Sequence, residues 1–259
     1  MNSPDLRGEA LLSVRGLRVA FGGRIAVRDV SLDVLGGETL GIVGESGSGK
    51  TTLARAILRL TPAAAGSAAW RGEDLLTCSA ARLRALRREF QIVFQNPLAS
   101  LDPRMPVGAA VQEPLRIYEP RSNEQTRRRR AAEMLERVGL SAAIAERYPH
   151  ELSGGQCQRI GIARAMMLRP KLLVCDEPVS SLDVSIQGQV VNLLLDLQRD
   201  TGISLLFISH NLAVVRQLSH RILVMQAGNV VEAGERDALF AAPRHPYTRA
   251  LLAAVPRIG

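Results

Sequence analysis

The sequence predicts an α/β fold, a mainly parallel sheet covered on both faces by helices. Three observations carry this. Leu40 to Val43, Leu172 to Cys175 and Ser204 to Ile208 read as short strands, the second of them apolar throughout and buried. The first two are followed by apolar residues at helical spacing, the rhythm of β/α units. The chain has 259 residues, 46% of them hydrophobic, which fits one large domain or two small ones with a sizeable core.

The elements follow in order. Leu12/Val14, Leu17/Val19/Phe21, Val30/Leu32/Val34 and Leu40/Ile42 alternate at period two, with turn signals at Gly22-Gly23 and Gly36-Gly37. Leu40 to Val43 then runs into a glycine loop, and Leu53, Ala54, Ile57 and Leu58 form a helical stripe that ends before Thr61-Pro62. A polar, Arg-rich stretch follows, with helical spacing at Leu83, Leu86 and Phe90, and a short strand at Ile92-Val93-Phe94. Residues 97 to 170 change character. Pro97, Pro103, Pro106 and Pro114 break up the first part, Glu124 to Val138 reads as an amphipathic helix, and another helix begins near Gly154. This segment reads as a mostly helical insertion of about 65 residues. A helix from about Ser185 to Arg199 follows the Leu172 strand. Ile222 to Met225 and Asn229 to Glu232 flank Ala227-Gly228 as a hairpin, and the tail closes with a short apolar helix after His245-Pro246-Tyr247-Thr248.

Composition excludes several classes. Aromatics are 3%, too few for a base-stacking platform. No run approaches 18 apolar residues, so no spanning helix is expected, and Met1 to Asp5 lead into scattered charges rather than a secretory signal. Cys78, Cys157 and Cys175 lack metal-ligand spacing and read as small buried or half-buried residues in a reducing cytosol. The net charge of +8 suits a solvated basic face, a phosphate-rich ligand, nucleic acid or an anionic membrane surface. Arg127 to Arg130 read as an exposed helix start with Glu124, Glu133 and Glu136 as neighbours, and nucleic acid is not expected as a partner. Of 33 basic residues only Lys50 and Lys171 are lysines.

Lys50 lies in Gly44-Glu45-Ser46-Gly47-Ser48-Gly49-Lys50-Thr51, which fits G-x-x-x-x-G-K-[ST] between a strand and a helix. Glycines let backbone N–H groups turn around phosphate oxygens, and the helix start adds positive partial charge. Lys50 brings a compact cation to the β and γ phosphates, and Thr51 offers a hydroxyl to Mg²⁺. The Leu172 strand ends in Asp176-Glu177. Alone this would read as an acidic strand end in solvent. With the loop, Asp176 is placed to hold Mg²⁺ and Glu177 to orient or deprotonate an attacking water. Leu152-Ser153-Gly154-Gly155-Gln156 opens a helix, either as an ordinary cap or as open backbone donors for a second phosphate site.

The loop at 44–51, Gln95, residues 152–156, Asp176-Glu177, Ser180-Ser181-Leu182-Asp183 and His210 resemble, in order and spacing, the ATP-binding cassette (ABC) ATPases. The resemblance implies a P-loop NTPase core with a mainly parallel sheet, an N-terminal antiparallel β subdomain and a helical insertion. It implies one domain over 10–259: a nucleotide-binding core at 10–96 and 165–235, a helical subdomain at 97–164 and a tail at 236–259. It implies ATP as substrate with Mg²⁺. Residues 44–51 and Thr52 would bind nucleotide, Phe21 would stack on adenine, and Ser153, Gly154, Gly155 and Gln156 with Asp183 would serve a facing chain. Gln95 would touch Mg²⁺ and the water, Thr51 and Asp176 would complete the metal set, and His210 would meet the γ-phosphate.

Phe94 to Arg104, Glu113 to Ile117, Asp183 to Gln187 and the ending from His245 through Leu251-Leu252 to Ala254-Val255-Pro256 are similar to ATPases of dipeptide, oligopeptide and nickel permeases. The resemblance implies a bacterial importer subunit for peptides or a related solute such as nickel. It would sit peripherally on the cytoplasmic side of the cell membrane, with two permease subunits, a second ATPase chain head to tail, and indirectly a solute-binding protein. A cysteine-ligated cluster, carried by some relatives, is not expected, because no Cys follows Cys175. The competing readings are a soluble ABC ATPase acting on ribosomes or DNA, and a P-loop kinase, which would not need Leu152 to Gln156.

Overall fold

Two long strands open the described part of the chain, as the period-two pattern requires. A computed structural model describes residues 10–254. The expectations for Met1 to Asp5, and for Val255 and Pro256, lie outside the described residues. β1 (Ala10–Phe21) and β2 (Arg24–Leu35) form an antiparallel hairpin. The register shifts between Val14 and Leu17, so both apolar groups lie on one bulged strand. Leu12, Val14, Leu17 and Val19 are buried, and Phe21 at the tip is 54% exposed. β3 (Thr39–Val43) is buried along its length and feeds α1 (Lys50–Ile57), which buries Leu53, Ala54, Ala56 and Ile57.

The next stretch contains two strands that the polar pattern did not announce, β4 (Ala65–Trp70) and β5 (Glu73–Asp74). β4 pairs antiparallel with β1, Leu12 opposite Trp70. Its sequence, Ala-Gly-Ser-Ala-Ala-Trp, has little β preference of its own. Pairing with β1 and burial of Ala68 and Trp70 make it a strand. α2 (Ala80–Leu86) ends before Phe90, which opens β6 (Phe90–Val93) rather than extending the helix. Phe94 lies past that strand.

The described residues divide into two compact units, one of 10–84 with 201–254 and one of 85–200. The second unit holds β6 and the helices expected of the insertion, with one correction. α3 (Val107–Tyr118) runs through a region where prolines suggested broken structure. Pro106 is its N-cap and Pro114 lies inside it. Pro114 removes one helical hydrogen bond. Val107, Ala110, Val111 and Leu115 are buried on one side, and that burial carries the helix through. α4 (Glu124–Arg137) is capped by Asn123, whose side chain accepts from the Thr126 N–H. Arg127 and Arg128 pair with Glu124, Arg129 with Glu133, and Arg130 with Glu119. α5 (Gly154–Met166) and β7 (Leu172–Asp176) follow, β7 parallel to β6 with Val93 opposite Cys175. α6 (Val184–Thr201) buries Val190, Val191, Leu193, Leu194 and Leu197.

The first unit resumes with β8 (Ser204–Ser209), α7 (Leu212–Leu218), β9 (Arg221–Gln226), β10 (Asn229–Glu235), α8 (Arg236–Ala241) and α9 (Pro246–Ala253). β3 runs parallel to both β8 and β9, and β10 returns antiparallel on β9 around Ala227-Gly228. Cys157 and Cys175 are buried and Cys78 is half-buried, all as free thiols. Burial, and secondarily the Asp176 charge, push the Cys175 thiol far up, so it stays protonated and unreactive.

Candidate active site

In the first unit the site is made mostly of backbone. Residues 44–51 leave the end of β3 and enter α1. Gly44 takes φ 155, and a Cβ there would stand 2.2 Å from the Met225 carbonyl oxygen. Gly49, the N-cap of α1, takes φ 103, and its Cβ would meet the Ala26 carbonyl at 2.5 Å. Neither position admits a side chain. The loop is also held by hydrogen bonds. The Gly228 N–H donates to the Ser48 carbonyl (2.9 Å), and the Glu45 N–H donates to the Tyr247 hydroxyl (3.0 Å). Lys50 is 4% exposed, and its Nζ donates to the Gly44 and Glu45 carbonyls, both at 2.8 Å.

The residues present fit a phosphate ligand. No side chain caps α1 at Gly49, and a helix start without a cap presents N–H groups to an anion. The Ser48 hydroxyl is buried and has no hydrogen-bond partner among the described residues. Thr51 and Thr52 sit in the first turn of α1. His210 follows β8. The parallel register sets Ser209 beside Val43, so His210 and Gly44 leave adjacent strands at the same end. The Ser209 hydroxyl accepts from the Asn211 N–H, and Asn211 caps α7. Phe21 pairs with Arg24, two residues from the Ala26 carbonyl that borders Gly49.

The second unit is made of side chains. β6 and β7 are parallel, so Gln95 and Glu177 leave at the same end, two residues beyond the Val93–Cys175 pair. Gln95 Nε2 reaches Glu177 Oε2 and Ser180 Oγ, each at 3.3 Å. Glu177 is buried and takes φ 48, the left-handed region, which a non-glycine residue occupies at a cost of order 1–3 kcal/mol. Asp176, 1% exposed, ends β7 with a carboxylate. Within this unit the Gln95 and Asp176 side chains carry hard oxygen donors of the kind Mg²⁺ takes.

The start of α5 has the side-chain cap that its sequence allows. Ser153 Oγ accepts from the Gln156 N–H (3.3 Å), and Gln156 Oε1 accepts from the Ser153 N–H (3.0 Å). This is a closed capping box, and it leaves the Gly154 and Gly155 N–H groups outside it. A Cβ on Gly155 would stand 2.6 Å from Ile186 Cγ2, and one on Gly154 would meet Leu182 Cδ2 at 3.5 Å. These glycines therefore pack beside the segment that contains Asp183. The Asp183 carbonyl accepts from the Ile186 and Gln187 N–H groups at the start of α6.

One contact was not foreseen from sequence. Tyr247 appeared there only as part of the His245-Pro246-Tyr247-Thr248 pattern. Its bond to Glu45 joins residues 202 positions apart, with no local signal beyond that pattern.

Comparisons with known proteins agree with this architecture. A family model described as ABC transporter matches residues 27–180. A second, described as the C-terminal region of oligopeptide/dipeptide transporters, matches residues 231–259. The oligopeptide transport ATP-binding protein OppF of Escherichia coli (strain K12) is 57% identical over 89% of this chain and 69% of its own length. The glutathione import ATP-binding protein GsiA of Salmonella choleraesuis (strain SC-B67) is 52% identical over 97% of this chain, which spans 42% of GsiA. Among solved structures, the cassette MJ0796, dimeric and bound to ADP and Pi, superposes with a TM-score of 0.78 at 28% identity, covering 87% of this chain and 98% of that one. The cbiO1 chain from Clostridium perfringens, part of the complex cbiONQ, gives 0.81 at 25% identity, covering 96% and 97%.

Proposed function

We infer the role of the protein from one premise: the chain belongs to the ABC transporter family, and it is an ATPase. It is the energising subunit of a bacterial importer for peptides or a related small solute. What carries this reading is the pairing of the Lys50 loop with two import relatives, an oligopeptide and a glutathione ATP-binding protein. A soluble cassette acting on ribosomes or DNA finds no support among them.

Each named residue has a task that its chemistry fits. Residues 44–51 and Thr52 cradle the phosphates through N–H groups, and Lys50 exchanges its two carbonyl partners for phosphate oxygens. Phe21, exposed at its hairpin tip, offers a ring to adenine. Thr51, Gln95 and Asp176 would hold Mg²⁺, which supplies neutralisation of charge on the β and γ phosphates. Glu177 orients the attacking water and takes its proton, with Gln95 and His210 assisting. The reaction consumes ATP and water and gives ADP and phosphate. Ser153, Gly154, Gly155, Gln156 and Asp183 serve the nucleotide of a second cassette facing head to tail, either a copy or a related chain. The nucleotide-binding core is then 10–96 with 165–235, the helical subdomain 97–164 and the tail 236–259.

The partners are two transmembrane permease subunits and, through them, a solute-binding protein. A peripheral place on the cytoplasmic face fits the finding that no described helix is long and apolar enough to cross a membrane.

The test uses proteoliposomes holding this chain and the permease subunits encoded beside it, supplied with Mg-ATP and a labelled oligopeptide. ATP-dependent peptide uptake is expected. With Ser153→Arg, nucleotide binding to the isolated chain should persist while hydrolysis and uptake stop, because arginine crowds the phosphate offered by the partner. Hydrolysis without peptide uptake in the wild type overturns the solute class. Normal hydrolysis in the variant overturns the head-to-tail site.

A further inference from the structure

Three of the groups that shape the phosphate loop come from the C-terminal part of its own unit. Two lie on the β9–β10 hairpin: the Met225 carbonyl that crowds Gly44 and the Gly228 N–H that binds the Ser48 carbonyl. The third comes from the C-terminal segment. Tyr247, on the first turn of α9, accepts the Glu45 N–H at 3.0 Å. The same Glu45 residue gives its carbonyl to Lys50 Nζ at 2.8 Å. One loop residue thus binds the tail through its N–H and the phosphate-binding cation through its carbonyl.

The segment that carries Tyr247 is itself anchored. Glu232, on β10, accepts the Arg244 N–H at 2.8 Å and the His245 N–H at 3.0 Å, one on each carboxylate oxygen. His245 Nδ1 accepts the Tyr247 N–H at 3.2 Å and caps α9, and Thr248 is buried. His245, Pro246 and Tyr247 therefore cap, start and reach in turn, next to a buried Thr248. That arrangement fixes the direction of one phenol.

We propose that Tyr247 is a positioning residue for nucleotide binding, and that residues 232–248 form a strap that holds the first limb of the 44–51 loop in its phosphate-ready shape. A loop ordered before ligand arrives binds more tightly, because its ordering cost is already met. Burial, opposed by the bond from the Glu45 N–H and aided by the Glu45 charge, raises the Tyr247 hydroxyl above its ordinary range. It remains an uncharged acceptor at neutral pH and adds no negative charge beside the phosphate site.

The test compares the full chain with Tyr247→Phe, which keeps the ring and removes the acceptor. Affinity for a fluorescent ATP analogue, and KM for ATP, should weaken by about three- to tenfold, the loss expected for one hydrogen bond. The kcat and the melting temperature should stay near wild type, because neither Glu177 nor the core is touched. Amide exchange measured on Glu45 supplies a second reading. In the wild type its N–H should exchange more slowly than that of Ser46, and in Tyr247→Phe the difference should vanish. Unchanged KM and affinity overturn the proposal. So does a parallel loss of kcat and melting temperature, which would make Tyr247 a packing residue only. A Glu45 amide that exchanges as fast as Ser46 in the wild type overturns it even without the variant.

Discussion

The two helix starts expected to meet phosphate are built in opposite ways. α1 begins at Gly49, with no side-chain cap, in a loop held by backbone groups from Met225, Gly228 and Ala26. α5 begins at Ser153, where Ser153 and Gln156 satisfy each other's N–H groups in a closed box. The first is shaped by its surroundings and has no side-chain cap. The second is stable by itself and keeps only the Gly154 and Gly155 amides to offer. The lesson extends to the units around them. Residues 10–84 and 201–254 hold a loop shaped by glycines and neighbouring carbonyls. Residues 85–200 supply side chains, Gln95, Glu177 and Ser180, joined by long 3.3 Å contacts that a ligand can rearrange. In the proposed reading, the binding loop takes its shape from backbone groups, and the water is handled by side chains.

The strongest way to break that division is Glu177→Gln. The substitution keeps the size of the side chain and removes the base. Hydrolysis should fall by about 10²–10⁴, the usual contribution of general acid–base assistance. ATP affinity should hold, because the 44–51 loop is untouched. Phosphate release measured beside ATP-dependent dimer formation on a sizing column decides it. A variant that turns over like wild type would move the water-positioning role to another group, with His210 the first to examine. A variant that loses ATP binding would end the separation of binding from chemistry.

Lys50→Ala should act on the other side of the division, through affinity. Removing a charge-assisted contact to phosphate costs about 1.5–3 kcal/mol, roughly a ten- to hundredfold loss in nucleotide binding. Equilibrium binding of labelled ATP to a variant with a native circular-dichroism spectrum is the measurement. Unchanged binding would show that the loop backbone alone holds the nucleotide, an even sharper form of the contrast.

Much of this was legible in the residues. The glycine loop has a fixed spacing and must lie between a strand and a helix, and it does. The strand before Asp176 is legible as a continuous apolar run, and the one ending at Ser209 as a further strand of the β/α rhythm. Two kinds of feature were hidden. β4 and α3 contradict their own local preferences. Alanines and a glycine make β4 because β1 offers it a partner, and α3 tolerates Pro114 because one side of it is buried. The other kind is distance. The Tyr247–Glu45 bond and the Gly228–Ser48 bond join residues far apart in the chain, and no pattern within a window can show them. The closed box at Ser153 was legible in principle, since Ser-x-x-Gln is the sequence form of such a cap. Sequence alone leaves that cap and open donors as alternatives, because the two glycines suit either.

Ser153→Ala gives the smallest effect and the finest comparison of the two helix starts. If Ser153 chiefly closes α5, its loss frees the Gln156 N–H and costs about 1 kcal/mol of stability, the usual value for a lost N-cap. In a protein of this size that lowers the melting temperature by about 2–4 °C. ATP binding by the isolated chain should not change, because α1 has no such cap to lose. Turnover in the assembled pair should fall only modestly, since Gly154 and Gly155 keep their N–H groups. A stable variant with a large loss of turnover would point elsewhere. The hydroxyl would then leave its box to contact the partner's nucleotide during the reaction, and α5 would be closed at rest and open at work. Comparing the melting temperature with and without the partner chain and Mg-ATP separates the two, because only a hydroxyl that changes partners stabilises the loaded assembly more than the free chain.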